Sequence, residues 1–298
     1  MRRIVIAGAS GMIGTALVAV LRAQGVEVAR LARPPVGPDE IAWDPQTGYL
    51  DPAVFEGASA VVNLAGRSIA RGRWTARTRS EILESRVRST RLLVDTLRRA
   101  DARPSVLVSA SAIGFYGDRG DEVLDESSSP GRGFLADVTR AWEAEAHRAE
   151  ERGVRVVCTR FGLILAREGG ALGPLLPLFR MGLGGPLGAG RQWWSWIHLD
   201  DAVAAILAAI QNPALAGPVN VVGPAPVTNR EFARTLAAVL RRPAVLPAPA
   251  FALRLVLGAM ADEMVLASQR VVPAKLQAQG FAFRWAGLRA ALEDLLTR

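Results

Sequence analysis

Three glycines near the start of the chain have a spacing that suits the binding of phosphate groups. Gly8, Gly11 and Gly14 form a G-x-x-G-x-x-G pattern directly after a predicted strand and directly before a predicted helix. Glycines permit a sharp turn and a close approach of the backbone to a pyrophosphate, which then meets the free N–H groups of the helix N-terminus. The pattern favours a dinucleotide site over a purely structural turn. The residues expected to bind the cofactor here are Gly8, Ser10, Gly11, Met12, Ile13 and Gly14.

The end of the second predicted strand indicates which dinucleotide is bound. In "VARLAR", Ala32 stands where NAD-binding folds usually place an acid, and Arg33 follows immediately. An acid accepts hydrogen bonds from the ribose hydroxyls of NAD, whereas a guanidinium suits a 2′-phosphate through bidentate, charge-assisted bonds. We therefore predict NADP (NADPH) as the cofactor. The alternative is that Arg33 is a solvated loop residue.

A later strand and the helix after it add further candidates. The strand in "VVNLAG" ends at the same carboxyl edge, so the backbone of Leu64, Ala65 and Gly66 is expected to pass the adenosine half of the cofactor. Arg86, on the next helix, is assigned to the same site. Five nearby arginines could steer an anionic substrate or phosphate, although a plain exposed helix face explains them equally well. They are Arg67, Arg71, Arg73, Arg77 and Arg79.

The elements that must position these residues follow from the apolar pattern. Short β-branched runs alternate with helical patterns through the first two-thirds of the chain. Continuous apolar strands separated by helices indicate a parallel sheet covered on both faces. The predicted fold class is α/β, a doubly wound parallel Rossmann sheet with a smaller, mostly helical C-terminal lobe. We assign residues 1–165 and about 194–225 to the NADP-binding domain, and about 166–193 and 226–298 to the lobe on the substrate side.

Helix-start signals mark the C-terminal third. Asp200 or Asp201 is predicted to be the N-cap of the helix that begins in "WIHLDD", and Thr228 has Glu231 at the spacing of a capping box. Three tryptophans could line a pocket near the junction of the lobes, where aromatic walls are common, or could simply pack in the core. They are Trp193, Trp194 and Trp196.

The composition argues against several classes of protein. The formal net charge is +8, but the arginines are scattered and no zinc, homeodomain or RNP-like pattern occurs, so no specific nucleic acid is expected. Cys158 is the only cysteine, which excludes an internal disulfide and fits a reducing compartment, so we predict a cytoplasmic location. No segment has the pattern of a membrane span, and neither a membrane partner nor a metal is expected.

The chain resembles the extended short-chain dehydrogenase/reductase superfamily, on its nucleotide-sugar epimerase side. More narrowly, it is similar to an atypical epimerase-like family in which an NAD-dependent epimerase/dehydratase domain precedes a small C-terminal domain of unknown function. The resemblance covers essentially the whole chain and depends on several motifs together. These are "GASGMIG", "VNLAG", "SASAIGFYG", "FLADVTRAWE", "GRQWWSWIHLDD", "GPVNVVGPAPVTNREF" and "RVVPAKLQAQGFAF".

The chain departs from typical members of the superfamily in its catalytic motif. Typical members use a Ser or Thr, a Tyr and a Lys around the nicotinamide, and the last two form Y-x-x-x-K on a helix, where the lysine lowers the pKa of the phenol. Here that motif occurs nowhere: matching Glu143 to the acid that usually follows it places Leu135 at the tyrosine and Thr139 at the lysine. Tyr116 matches instead the strand-end tyrosine of the family's "VYG"-like motif.

Two serines fall where the resemblance implies a substrate-binding hydroxyl. The predicted catalytic residues are therefore Ser109, Ser111 and Tyr116. Their structural alternatives are hydroxyls that tie the strand end to its loop and a tyrosine that packs there. For His198 and Asp201 the resemblance implies a turn that starts a helix, with His198 bonded to backbone, rather than an acid–base pair.

Two hypotheses from different classes of function remain. The first is an NADP-dependent enzyme that reduces or epimerises a small or nucleotide-sugar-like substrate, with Ser111 orienting it and Tyr116 or a water carrying the proton. The second is a non-catalytic NADP-binding sensor or scaffold, which the missing Tyr–Lys pair motivates. The expected partner is a small-molecule substrate, and a homodimer is an arrangement to be tested.

Overall fold

Strands and helices alternate through the first two-thirds of the chain, as the apolar runs predict. The computed structural model describes residues 3–70 and 72–297. The strands are β1 (Arg3–Ala7), β2 (Glu27–Ala32), β3 (Glu40–Ala42), β4 (Ala60–Asn63), β5 (Val106–Ala112), β6 (Val123–Leu124), β7 (Arg155–Phe161), β8 (Leu163–Leu165), β9 (Trp193–Trp194), β10 (Trp196–His198), β11 (Gly217–Val221), β12 (Val227–Thr228) and β13 (Arg270–Val271).

Helices connect the strands and make up most of the C-terminal third. They are α1 (Met12–Ala23), α2 (Ala76–Arg99), α3 (Phe134–His147), α4 (Leu176–Arg180), α5 (Leu199–Gln211), α6 (Asn229–Leu240), α7 (Ala250–Leu257), α8 (Ala274–Ala278) and α9 (Leu288–Thr297). Short 3₁₀ turns follow β3, β5 and α3, and one π-helical turn, Ala261–Val265, follows α7.

The main sheet confirms the predicted fold class. Seven parallel strands form it in the order β3-β2-β1-β4-β5-β7-β11. The chain builds outward from β1 in one direction and then crosses to β4 on its other side. The strand order therefore reverses between β1 and β4, and ligands of open α/β sheets bind at such a switch point, outside the carboxyl ends of the strands.

Both faces of the sheet are covered, which explains why its strands are apolar without alternation. Helices α1 and α5 pack on one face around a cluster that includes Ile6, Leu17 and Ile206. Helix α2 and the end of α3 pack on the other face around Val61 and Leu93. Burial of these side chains holds the strands in register, so that their carboxyl ends stay together at one edge.

The smaller lobe has its own apolar cluster. Helices α4, α6 and α9 meet around side chains that include Trp194, Phe232 and Leu292, and the rings of Trp194 and Phe232 contact edge to face at 5.1 Å. Trp196 is also buried in this cluster, so two of the three tryptophans are core residues. The chain returns to the main unit through the pairing of β13 with β6. The division of the chain into two domains stays a prediction.

The helix-start predictions have different outcomes. Thr228 is the N-cap of α6, and its hydroxyl accepts a hydrogen bond from Glu231 N at 3.2 Å, as predicted. The assignment of Asp200 or Asp201 as the cap of α5 is wrong. His198 takes that position, and its Nδ1 accepts from Asp200 N at 3.0 Å. The Asp201 carboxylate instead accepts from the backbone N–H groups of residues 284 and 285, which ties the smaller lobe to this helix.

Within the described ranges, no helix has the length and apolarity needed to cross a bilayer. In the same ranges, no cluster of three or more His, Cys, Asp or Glu side chains has a geometry that could hold a metal ion. The cytoplasmic location and the homodimer stay predictions from the sequence.

Candidate functional site

The turn between β1 and α1 requires glycine at two of the three positions of the G-x-x-G-x-x-G pattern. Gly8 has φ of +79°, and a Cβ atom there would lie 2.6 Å from the backbone of Leu64. A Cβ on Gly14 would lie 2.3 Å from Gly8 O, because the first turn of α1 packs directly on the loop. A Cβ on Gly11 would meet only Gly8 O, at 3.4 Å, which is an ordinary contact. The protein itself therefore leaves open the space beside Gly11, where a ligand can approach the backbone.

A cavity of about 820 Å³ lies at this turn, at the switch point of the sheet. Its volume is within the range typical of cofactor sites. Seven of the predicted cofactor residues line this cavity, and they come from the turn, from the end of the second strand and from the loop after β4. They are Gly8, Ser10, Gly11, Arg33, Leu64, Ala65 and Gly66. Met12, Ile13 and Gly14 form the start of α1 beside this turn.

Arg33 is the cation available to an anionic ligand at the far end of the cavity. Its neighbour Arg30 also lines the cavity, but it is held by Asp39 through two hydrogen bonds of 2.8 and 2.7 Å and by Glu40 at 3.1 Å. The hydrogen bonds from Arg30 lower the pKa of the Asp39 carboxyl to about 2. Arg33 makes no ion pair within 4 Å in the described part of the chain. The second cavity, of about 510 Å³, also reaches Arg33.

Arg86 supports the wall of the cavity from behind. Its Nη1 donates to Ile82 O and to Arg67 O at 3.0 Å each, and the guanidinium lies 5.0 Å from the ring of Trp142. Burial lowers its pKa to about 10. A Cβ on Gly66 would lie 3.3 Å from Arg86, so the two are packed together. Arg86 thus positions the loop after β4, and direct contact with the cofactor stays a prediction.

The arginine run does not form one steering patch. Arg67 and Arg77 both pair with Glu81, Arg73 donates to Leu255 O at 2.5 Å, and the Arg79 guanidinium lies 5.3 Å from the ring of Phe134. Arg71 lies outside the described residues. Of the four members of the run that the structure describes, only Arg67 lines the larger cavity.

Ser111 is oriented by a buried ion pair that the sequence did not reveal. It lies near the end of β5, in register with Arg160 of β7. Ser111 Oγ donates to Glu143 Oε1 at 2.6 Å, and Arg160 donates to both oxygens of the same carboxylate at 2.8 Å. Burial opposes the charge of Arg160, but Glu143 raises the pKa of the guanidinium above its ordinary value. The serine hydroxyl therefore has its proton engaged, and Ser111 itself is buried and lines neither of the two cavities.

Tyr116 has no exposed surface, and its hydroxyl is engaged on both sides. It donates to Asn220 Oδ1 at 2.7 Å and accepts from Arg160 Nη1 at 3.0 Å. Burial raises the pKa of the phenol, and the nearby guanidinium only partly opposes this. Ser109 is also buried, and its nearest acceptor is Ala110 O at 3.5 Å. These contacts favour the structural alternatives for Tyr116 and Ser109, and their catalytic roles stay predictions.

Helix α3 contains Leu135 and Thr139, the two positions matched on sequence to Y-x-x-x-K. Leu135 lies against Gly114, and Thr139 Oγ1 donates to the Leu135 and Ala136 carbonyls at 2.9 and 3.0 Å. The Glu263 carboxylate accepts from the backbone N–H groups of Phe134 and Leu135 at 3.1 and 2.8 Å. This helix therefore presents an aliphatic side chain at Leu135 and a backbone-bonded hydroxyl at Thr139.

One signal in the sequence could have revealed the buried network. Arg160 interrupts the apolar run "VRVVCTRFG", and a charge in a strand covered on both faces requires a buried partner. Asn220 lies in the apolar strand "GPVNVVG" in the same way, and its backbone N–H donates to Glu126 at 2.9 Å. Glu263 gives no comparable signal, because its partner is backbone about 130 residues away.

Two family models match the chain. Residues 4–223 match the NAD dependent epimerase/dehydratase family, and residues 248–295 match a domain of unknown function, DUF1731. The first match covers well over half of the chain and includes the turn at Gly8, the loop after β4 and the buried network around Ser111.

Proteins of known sequence or structure resemble the whole chain. It is 43% identical over 296 residues to the epimerase family protein Mb2239 of Mycobacterium bovis, a match that covers 99% of this chain and 98% of that protein. The crystal structure of human epimerase family protein SDR39U1 with NADPH superposes with a TM-score of 0.92 at 34% identity, covering 99% of both chains. A nucleoside-diphosphate sugar epimerase from Corynebacterium glutamicum has a TM-score of 0.81 at 34% identity, covering 99% of this chain and 58% of that one.

Proposed function

Because this chain belongs to the NAD dependent epimerase/dehydratase family, we propose that it binds NADP and acts on a small or nucleotide-sugar-like substrate, as NADPH if it reduces the substrate or as NADP⁺ if it epimerises it. The observation that carries the proposal is the cavity at the switch point, which joins the Gly8 turn to an arginine without an ion-pair partner among the described residues. A pyrophosphate would lie beside Gly11 at the start of α1, and the 2′-phosphate would lie at Arg33.

The similar proteins support both parts of the proposal. The human relative was crystallised with NADPH, which carries the 2′-phosphate that Arg33 would bind. The Corynebacterium relative is a nucleoside-diphosphate sugar epimerase. By analogy with these two proteins, we propose the same cofactor and the same class of substrate for this chain.

The chain's own residues would have to orient the substrate and provide for proton transfer. When bound, the nicotinamide would supply or accept a hydride. Ser111 would orient a substrate alcohol by accepting its hydrogen bond, since its own proton is held by Glu143 at 2.6 Å. A water would carry the proton, because the Tyr116 hydroxyl is already bound to Asn220 and Arg160. The chain thus works without the phenol and ammonium that typical members use.

Replacing Arg33 with alanine tests the choice of cofactor. We expect NADPH to bind about 10- to 100-fold more weakly and NADH to bind as before, because only NADPH loses a charge-assisted contact. Isothermal titration calorimetry with both dinucleotides measures this. Arg88→Ala is the matched control, since Arg88 lines the same cavity but already pairs with Glu84 at 2.8 Å. If neither dinucleotide binds the wild-type protein, the proposed function is wrong.

A second candidate function is a non-catalytic NADPH-binding sensor or scaffold. The observation that favours it is the pair Leu135 and Thr139 at the positions of the phenol and the ammonium, with Thr139 fully engaged by backbone. The two candidates differ in turnover. Oxidation of bound NADPH by a carbonyl compound, or conversion of a nucleotide sugar to its epimer by the NADP⁺-loaded protein, would support the enzyme, whereas tight binding with neither reaction would support the sensor.

A further inference from the structure

Helix α7 is apolar and buries none of its side chains. Its sequence, AFALRLVL, has a single charged residue, Arg254, yet every residue of the helix stays at least partly exposed. The exposed fractions are 73% for Phe251, 74% for Leu255 and 67% for Val256. Large apolar side chains exposed together in this way mark a surface that contacts something else.

The segment before α7 extends this surface beside a second apolar segment. Ala248 N donates to Pro186 O at 2.9 Å, Gly188 N donates to Ala248 O at 2.8 Å, and the two stretches of chain run side by side. Both expose large apolar side chains. We call the following set the apolar face: Leu178, Met181, Leu183, Val245, Leu246, Phe251, Leu255 and Val256.

The charges within these segments have one sign. Residues 169–190 and 241–257 contain no Asp or Glu and four arginines, Arg180, Arg241, Arg242 and Arg254. Arg254 pairs with Asp262 at 2.9 Å. The other three make no ion pair within 4 Å in the ranges that the structure describes, and all three are exposed. The apolar face is thus bordered by cations whose charge is not neutralised by the protein.

Arg241 occupies a backbone conformation that favours glycine. It ends α6 with φ of +54° and ψ of +46°, and among the described residues it is the one non-glycine with a positive φ. A left-handed conformation is unfavourable for a residue with a Cβ, and helices usually place Gly at this kind of position. Arg241 nevertheless holds an exposed positive charge at this position, close in sequence to Val245 and Leu246 of the apolar face.

We propose that the apolar face docks on the surface of a lipid bilayer that contains anionic headgroups. Exposed Phe and Leu side chains enter the boundary between headgroups and acyl chains, and arginines beside them bind the negative surface. A second copy of this chain fits less well, because two copies would bring their unpaired arginines together. The sequence pattern excludes only segments that span a membrane, whereas this surface forms when two distant segments meet.

Co-sedimentation with vesicles tests the proposal, using vesicles of phosphatidylcholine alone or with 30% phosphatidylglycerol. We expect the protein to bind the anionic vesicles at least tenfold more tightly, and high salt to weaken that binding. Arg241→Gly with Arg242→Gln should weaken it about 25-fold, since each arginine near an anionic surface contributes about fivefold. Phe251→Ser with Leu255→Ser should abolish it. Melting temperatures should not fall, because these side chains are exposed and Gly relieves the strain at position 241.

The matched control removes two exposed arginines elsewhere. Arg103→Gln with Arg152→Gln makes the same change in net charge near the start of β5 and β7, away from the apolar face, and should bind like the wild type. Equal loss in this control would mean attraction by net charge alone and would overturn the proposal. So would the absence of binding by folded wild-type protein, or a dimer in sedimentation that Phe251→Ser with Leu255→Ser converts to a monomer. NADPH binding should be unchanged in every variant, which keeps this test separate from that of the proposed function.

Discussion

Replacing Gly14 with alanine is expected to lower the free energy of unfolding by about 1–3 kcal/mol, the usual cost of overpacking, and to abolish measurable NADPH binding. The added Cβ would lie 2.3 Å from Gly8 O and 2.7 Å from Ala9 Cα. These neighbours are backbone atoms, so relief requires the turn or the whole of α1 to move. Either movement displaces the backbone N–H groups that would bind the pyrophosphate. Denaturant unfolding and calorimetric titration measure the two effects.

Gly11→Ala is the matched control, because its Cβ would meet only Gly8 O at 3.4 Å. We expect this variant to retain nearly the full stability of the fold and still to bind NADPH at least tenfold more weakly, since the methyl group would occupy the space of the phosphates. Two variants in the same turn would then separate folding from binding. Unchanged NADPH binding in Gly11→Ala would show that the dinucleotide does not pass over this turn.

Replacing Glu143 with glutamine is expected to lower the free energy of unfolding by about 3–5 kcal/mol, because it leaves the buried charge of Arg160 uncompensated. Arg160 is buried and donates twice to this carboxylate at 2.8 Å. The same substitution weakens the acceptor of Ser111 and frees the guanidinium that fixes Tyr116. Denaturant unfolding followed by circular dichroism measures the loss.

Two controls separate the ion pair from its neighbours. Ser111→Ala and Tyr116→Phe each remove one hydroxyl, and each should cost about 1–3 kcal/mol. The double variant Glu143→Met with Arg160→Met should recover at least half of the loss, since well-packed apolar groups often replace a buried pair without cost. A Glu143→Gln variant as stable as the wild type would contradict the buried-pair interpretation and, with it, the fixed orientation of Ser111.

The proposed site depends on local sequence for its cofactor half and on distant residues for its catalytic half. The Gly8 turn could be predicted because both its neighbours, β1 and α1, are adjacent in sequence, and because the φ of +79° at Gly8 is open only to glycine at low cost. The cap at Thr228 could be predicted for the same reason. The local helix-start signal favoured Asp200 or Asp201 as the cap of α5, and only the family resemblance implied the backbone bond that His198 makes. The Asp201 carboxylate accepts instead from the backbone of residues 284 and 285, which lie far away in sequence.

The sequence by itself determined the fold class, the glycine turn after β1 and the absence of a Y-x-x-x-K motif, because each depends on local pattern or can be checked directly in the sequence. The tertiary structure decided what the hydroxyls can do. Tyr116 meets Asn220 from 104 residues away, and Ser111 meets Glu143 from 32 residues away. It also decided that two apolar segments some 60 residues apart form one exposed face. These contacts form only when the sheet and the lobe pack, because each buried polar group then needs a hydrogen-bond partner. The same packing leaves some apolar side chains outside the core and exposed.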